Sequence, residues 1–322
     1  MLQENKRRKS KKRYIINLTI LVFVGLILYS LADRYLIEHV KISKAFTEDS
    51  IAQVTEITVT KEEPTGTSAD ASFTSDDWNY KSDSLSVKIE NVSEGTGSEL
   101  VTYYVADVEF KNSETLKTAF AKNQFGTNII QDTSVIAEDN NAILAINGDY
   151  YGFREDGIII RNGIIFRDVP TRTGLSIYND GTMKSFDETA TTADELLADG
   201  VVQAFSFGPA LVENGIANTD LGRTIIDKNF GNRNIENANP RTGIGYISPN
   251  HFIFVIVDGR SKEYSNGVNL SEFARIFQDL GCKEAYNLDG GGSSTMYFMG
   301  RVVNNPLGKE TERGVSDIIY VN

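Results

Sequence analysis

The first strong pattern along the chain is a nineteen-residue run without a charged side chain, YIINLTILVFVGLILYSLA, over residues 14–32. As a helix it would span roughly 28 Å, about one hydrocarbon core. Lys6-Arg7-Arg8-Lys9 and Lys11-Lys12-Arg13 stand before it, and a basic flank on that side predicts an N-in, C-out orientation. A cleavable signal peptide has a shorter apolar region closed by a small-x-small site, which Leu31-Ala32-Asp33-Arg34-Tyr35 does not offer. The pattern predicts a cytoplasmic basic tail over 1–13, a transmembrane anchor over 14–32, and everything later outside the cytoplasm.

After the anchor the pattern changes. Residues 33–60 mix apolar and charged positions, as a helical stalk does, while 61–80 (KEEPTGTSADASFTSDDWNY) are polar and acidic, as a linker is. From 81 to 322, short apolar runs bounded by Gly, Asn and Asp predict strands. They cover 84–90, 100–110, 142–146, 157–160, 163–166, 175–178, 201–207, 244–247, 252–257, 284–288 and 315–321. Helices are predicted over 116–121 and 193–198, and most clearly over 271–280, where Leu270, Phe273, Ala274, Phe277 and Leu280 form one apolar face before Gly281. Strands outnumber helices in irregular alternation. That predicts an α+β domain over 81–322 with mixed or antiparallel sheets.

Composition narrows the class. The 322 residues are 40% hydrophobic and 24% charged, enough to bury a large core. The net charge of −12 is uneven: residues 1–32 hold seven Lys/Arg and one Glu, so the remainder carries 25 basic against 43 acidic groups. A body this acidic is a poor general binder of nucleic acid. Two His and one Cys exclude a disulfide framework, a Cys-based zinc site and a His-rich metal cage. The lone Cys282 suits an extracytoplasmic domain.

Four segments carry candidate chemistry. In Asn287-Leu288-Asp289-Gly290-Gly291-Gly292-Ser293-Ser294-Thr295 a strand delivers an Asn and an Asp, and the glycines let the backbone approach a ligand. Successive N–H groups there can form an anion nest, with hydroxyls beside it. The segment matches neither Walker A, nor Gly-x-Gly-x-x-Gly, nor Gly-x-Ser-x-Gly. A tight turn capped by Asp289 is the simpler alternative. Asn147-Gly148-Asp149-Tyr150-Tyr151 suits sugar binding through amide, carboxylate and ring, or else an ordinary turn. Arg241-Thr242 offers a bidentate guanidinium and a hydroxyl for phosphate or carboxylate, or else a surface ion pair. Asp258-Gly259-Arg260 ends a buried strand, and Glu272 lies in the first turn of the clearest helix, as a working carboxylate or a complement to the helix dipole. Asp149, Asp258 and Asp289 are hard oxygen donors suited to Ca²⁺ or Mg²⁺, though their spacing does not demand a metal.

Taken in order, AINGDYYGF, GIIIRNGIIFR, FSFGPALVENG, NPRTGIGY, VIVDGR, LSEFARIFQDLGCKEAYNLDGGGSSTMYF and NNPLGKETERGVSDIIYV resemble the phosphodiester glycosidase family, over roughly 84–322. Many members read Asn-Gly-Gly-Tyr/Phe-Phe at 147–151, so Asp149 departs from the pattern. The resemblance implies hydrolysis of a sugar-1-phosphodiester at the anomeric carbon, releasing the sugar and leaving a phosphomonoester. It implies that Arg241 and the 290–294 backbone hold phosphate, with Thr242, Arg260, Asn287 and Thr295 lining the site. Asp289 or Asp258 would act as base or nucleophile with Glu272 as a further carboxylate, while Asn147, Asp149, Tyr150 and Tyr151 orient the sugar. The expectation is a membrane-anchored, extracytoplasmic hydrolase of a Gram-positive surface. It would act on cell-surface polysaccharide or teichoic-acid-like polymers bearing N-acetylglucosamine-1-phosphate. A non-catalytic glycan-binding protein of exopolysaccharide biosynthesis and a sugar or phosphosugar transferase remain the alternatives.

Overall fold

In the strand His251–Val257 (HFIFVIV), alternate side chains enter opposite cores: Phe252, Phe254 and Ile256 on one face, Ile253, Val255 and Val257 on the other. Burial on both faces is why the segment reads as an unbroken apolar run. In the computed structural model, which describes residues 2–43, 73–112, 114–219, 221 and 237–322, this strand lies inside a nine-stranded sheet. It pairs with Arg241–Ser248 on one side and Val101–Phe110 on the other.

The helix Leu270–Asp279 covers one face of that sheet with Phe273, Ala274 and Phe277. The helix comes close because the strand beneath it carries glycines. A Cβ on Gly243 would stand 2.8 Å from the Phe277 ring and 2.9 Å from that of Phe273. The other face packs on two five-stranded sheets. In one, Leu144–Asn147 lies between Met296–Phe298 and Asp317–Val321. In the other, Val201–Phe205 lies between Gly157–Arg161 and Thr173–Tyr178. The short helices Thr133–Asp139 and Ala193–Ala198 pack against these two sheets. Every strand pairing among the described residues is antiparallel, and four α-helices accompany them, so the domain is α+β as its sequence pattern predicts.

Two local expectations fail. Residues 116–121 are not helical: Lys117–Phe120 is a strand, and the turn Ala121–Asn123 follows it. Pairing with Asp317–Val321 overrides the weak local preference of six residues. Nor do the residues after the apolar run continue as one helix. The helix Leu2–Tyr35 contains Tyr14–Tyr35, long and apolar enough to cross a membrane and wholly unburied. Beyond it, His39–Ser43 is a strand paired with Gln124–Thr127. The rest of the expected stalk and most of the expected linker, 44–72, lie outside the described residues. Thr74–Ser75 and Asn79–Lys81 add to the edge of the large sheet through Leu85–Glu94.

Candidate active site

The three sheets meet at the end of Leu144–Asn147. Asn147 is fully buried there, and both the oxygen and the nitrogen of its side chain are engaged. Its Oδ1 accepts from Thr242 Oγ1 at 2.8 Å and from the Thr295 N–H at 3.2 Å, while Nδ2 donates to the Asp289 carbonyl at 2.6 Å. One amide from a small sheet thus fixes two strand ends of the large sheet, where Thr242 and Leu288 are already paired. The Asp289 N–H returns a bond to the Gly148 carbonyl at 3.3 Å.

Asp289 opens the glycine loop. The Gly291 N–H donates to the Pro240 carbonyl at 2.9 Å, and Gly291 has φ +65°, a left-handed backbone that glycine adopts freely. A Cβ on Gly290 would stand 2.9 Å from the same carbonyl, so the loop lies against the Asn239-Pro240-Arg241 segment. The Gly292 N–H has no partner among the described residues. The Asp289 carboxyl is 15% exposed, with Oδ2 at 3.3 Å from Arg313 Nη2. Burial raises its pKa, and Arg313, Ser293 and Arg154 oppose that rise.

Three guanidinium groups surround this loop. Arg313, half exposed, also donates to Ser293 Oγ from Nε at 3.2 Å and from Nη2 at 2.5 Å. Arg260 grips Asn239 Oδ1 through Nε and Nη2 at 3.0 and 2.8 Å, and the positive charge of Arg313 adds to burial in lowering its pKa. Arg154 lies 5.2 Å from the Tyr150 ring centre and 4.9 Å from that of Phe207, with Phe153 stacked on Tyr150 at 4.8 Å. In an acidic domain, this convergence of cations, one carboxylate and half-buried rings suits a sugar carrying phosphate.

The structure brings Asn147, Tyr150, Thr242, Arg260 and 289–295 together, and it assigns the remaining predicted residues to other work. Asp149, expected to bind substrate or a cation, is buried: its Oδ2 accepts from the Ser206 N–H at 2.7 Å and lies 3.5 Å from Arg161 Nη2. Arg161 Nε also reaches Asp317 Oδ2 at 2.8 Å, and all three side chains are excluded from solvent. Tyr151 points away from its neighbour Tyr150 into the core, stacking on Phe125 and donating to the Ser316 carbonyl at 3.0 Å. Asp258 is saturated, accepting from Asn304 Nδ2 at 2.7 Å and from the Asn305 N–H and Tyr264 O–H at 2.8 Å each. It holds the 304–305 turn beside the loop. Glu272 closes a capping box, accepting from the Asn269 N–H at 2.9 Å, and its charge also reaches the Arg241 guanidinium. Arg241 donates to the Val268 and Asn237 carbonyls at 3.0 Å each, and burial with Arg260 nearby lowers its pKa to about 10. Asn287 donates to the Gly208 carbonyl at 2.9 Å. Its Oδ1 and the hydroxyls of Ser294 and Thr295 are buried without partners among the described residues. Asp149, Asp258 and Asp289 do not converge: among the described residues no three acidic, His or Cys side chains are placed to hold a metal ion. Sequence reasoning misses Arg313, Arg154, Arg161 and Asp317. Only Arg161, a charge closing the apolar strand Gly157–Arg161, leaves a signal there.

Comparison with known proteins agrees with this geometry. A profile of the phosphodiester glycosidase family matches residues 140–322. The chain is 29% identical over 245 residues to the SPbeta prophage-derived uncharacterized protein YomE of Bacillus subtilis (strain 168), covering 69% of this chain and 36% of that protein. It is 32% identical over 184 residues to N-acetylglucosamine-1-phosphodiester alpha-N-acetylglucosaminidase of Bos taurus, covering 53% of this chain and 34% of that protein. The chain therefore spans about a third of the length of these curated relatives. Its fold resembles the catalytic domain of the zebrafish N-acetylglucosamine-1-phosphodiester alpha-N-acetylglucosaminidase auto-inhibited by its pro-peptide. The TM-score is 0.58 at 21% identity, over 74% of this chain and 83% of that one.

Proposed function

The chain belongs to the phosphodiester glycosidase family, and from that premise we propose that it hydrolyses sugar-1-phosphodiesters of the N-acetylglucosamine type at a cell surface. The helix Tyr14–Tyr35 anchors it with the N-terminus inside and the domain outside, a reading supported by the basic residues before that helix. The observation that carries the catalytic reading is the Asp289 carboxylate, 3.3 Å from Arg313 on a glycine loop ringed by guanidinium groups.

Arg313, Arg260 and the Gly292 N–H receive the phosphate, and the Tyr150 ring receives a sugar face. Asp289 takes a proton from water as that water attacks the anomeric carbon. The bond from that carbon to the phosphate oxygen breaks, and the phosphomonoester leaves as a weakly basic anion. Burial makes Asp289 a stronger base than an exposed carboxylate, while Arg313 keeps it ionised. Asn147 is a positioning residue, and Asp258 shapes the loop's neighbour. Beyond a Debye length of about 8–10 Å the acidic body does not repel an anionic substrate, so the local guanidinium groups decide binding.

The test uses the full chain in detergent with the methyl ester of α-N-acetylglucosamine-1-phosphate. Wild type releases the sugar and methyl phosphate in equal amounts. Asp289→Asn, with an unchanged melting profile, loses at least about a hundredfold in rate. Undiminished turnover in that variant removes Asp289 from the role of base.

A further inference from the structure

The outer end of the apolar helix is built into the domain. Asn128 Nδ2 donates to the carbonyls of Asp33 and Ile37 at 3.2 and 2.8 Å, and Lys122 pairs with Glu38 at 2.5 Å. His39–Ser43 then joins Gln124–Thr127 as a strand. Between these elements and the domain lies a groove of about 910 Å³. Asp33, Arg34 and Lys41 form one wall, and Asn128, Phe153 and Arg154 form the other. Arg154 is the guanidinium that stacks on Tyr150 and Phe207 and acts on Asp289, so groove and active site share a residue.

Arg34, Lys41 and Arg154 line the groove together with His39 and the carboxylates of Asp33, Glu155 and Asp156. Asp33 is paired with His39 at 3.2 Å and Asp156 with Arg172 at 2.6 Å. Arg34 and Lys41 have no acidic partner among the described residues. Leu36 and Ile37 in the turn after the helix and Val40 and Ile42 on the strand His39–Ser43 are exposed, and Val169 is exposed on the groove wall. Cations beside exposed aliphatics, at the level where a spanning helix leaves the bilayer, match a phosphate headgroup on a lipid chain.

Resting on the hydrolase reading above, we propose that the substrate is membrane-resident: a sugar-1-phosphodiester whose second ester is a lipid chain, entering from the leaflet along this groove. Arg34 and Lys41 meet the phosphate, Arg154 hands it to the Arg260–Arg313 side of the loop, and the chain stays in the bilayer beside the aliphatic rim. Water adds its oxygen to the anomeric carbon, the carbon–oxygen bond to phosphate breaks, and the water proton passes to Asp289. The free sugar leaves and the lipid phosphomonoester remains in the membrane. Holding enzyme and substrate in one leaflet raises their effective concentration without any new contact.

The test reconstitutes the full chain in phosphatidylcholine–phosphatidylglycerol vesicles. The hexadecyl ester of α-N-acetylglucosamine-1-phosphate in the vesicles is compared with the soluble methyl ester at equal total concentration. The expected result is at least a tenfold faster release from the hexadecyl ester. The double variant Arg34→Glu/Lys41→Glu, whose unchanged melting profile shows that it folds, loses that advantage. Equal rates on the two esters, unchanged in the variant, overturn the lipid substrate and leave the hydrolase standing. Cleavage of neither ester removes the hydrolase reading, and this inference falls with it.

Discussion

The side-chain amide of Asn147 donates to the backbone carbonyl of Asp289 at 2.6 Å, joining the two segments that carry the site's chemistry. Because the same side chain also accepts from Thr242 and Thr295, Asn147→Ala leaves buried groups on both sheets unsatisfied. At roughly 1–3 kcal/mol for each such group, the expected loss of stability is about 3 kcal/mol. Turnover falls with it, because the Asp289 loop loses its tether. Urea midpoints on the detergent-solubilised chain check the stability, and an unchanged midpoint contradicts the tether.

Arg313 lowers the pKa of Asp289 against the rise imposed by burial. Arg313→Gln removes the opposing charge, so the Asp289 pKa moves further up and the acid limb of kcat/KM shifts to higher pH. KM for a phosphodiester rises about tenfold, the loss of one charge-assisted contact. A pH–rate profile separates the two effects. A fall in rate at every pH with an unmoved acid limb would assign Arg313 to binding alone.

Asp317 titrates within the range where proteins are handled. Burial raises its pKa from 3.8 to about 6, with Asp149 adding to the rise and Arg161 opposing it. Between those values the folded chain holds a proton that the unfolded chain has released. The contribution of this group to stability therefore falls as pH rises from about 4 to about 6, and levels off above. Asp317→Asn removes that slope. Denaturation midpoints at four pH values from 4 to 7 check it, and an identical slope in the variant places the proton elsewhere.

At Gly243 helix Leu270–Asp279 packs tightly on its sheet, with ring atoms of Phe273 and Phe277 within 2.9 Å of where a Cβ would stand. Gly243→Ala overpacks this contact and costs about 1–3 kcal/mol. The altered face lies opposite the site, so the folded fraction keeps its turnover. A lowered melting temperature with unchanged specific activity is the expected pair of results.

The fold is largely legible in the sequence because its strands are buried on one or both faces, and such burial writes apolar runs that a single sequence displays. Helix Leu270–Asp279 is legible for a second reason: its apolar stripe and its Asn269–Glu272 cap are local. Residues 116–121 mislead because six residues fit either period, and only the distant partner Asp317–Val321 decides between them. The site divides in the same way. Asp289, the glycine loop and Asn147 stand at strand ends and are visible. Arg313 and Arg154 are not, since nothing local marks a surface-type arginine as the partner of a carboxylate far along the chain. Asp149 looks like a free carboxylate until the fold sets Arg161 beside it, and Tyr150 and Tyr151 are equivalent until one ring turns outward and the other into the core.

In the proposed reaction water attacks the sugar carbon and leaves the phosphorus untouched. Hydrolysis of the methyl ester of α-N-acetylglucosamine-1-phosphate in H₂¹⁸O, followed by mass spectrometry of both products, tests it most directly. The heavy oxygen is expected in the released sugar, with none in methyl phosphate. Heavy oxygen in the phosphate product would mean attack at phosphorus, and would contradict a glycosidase.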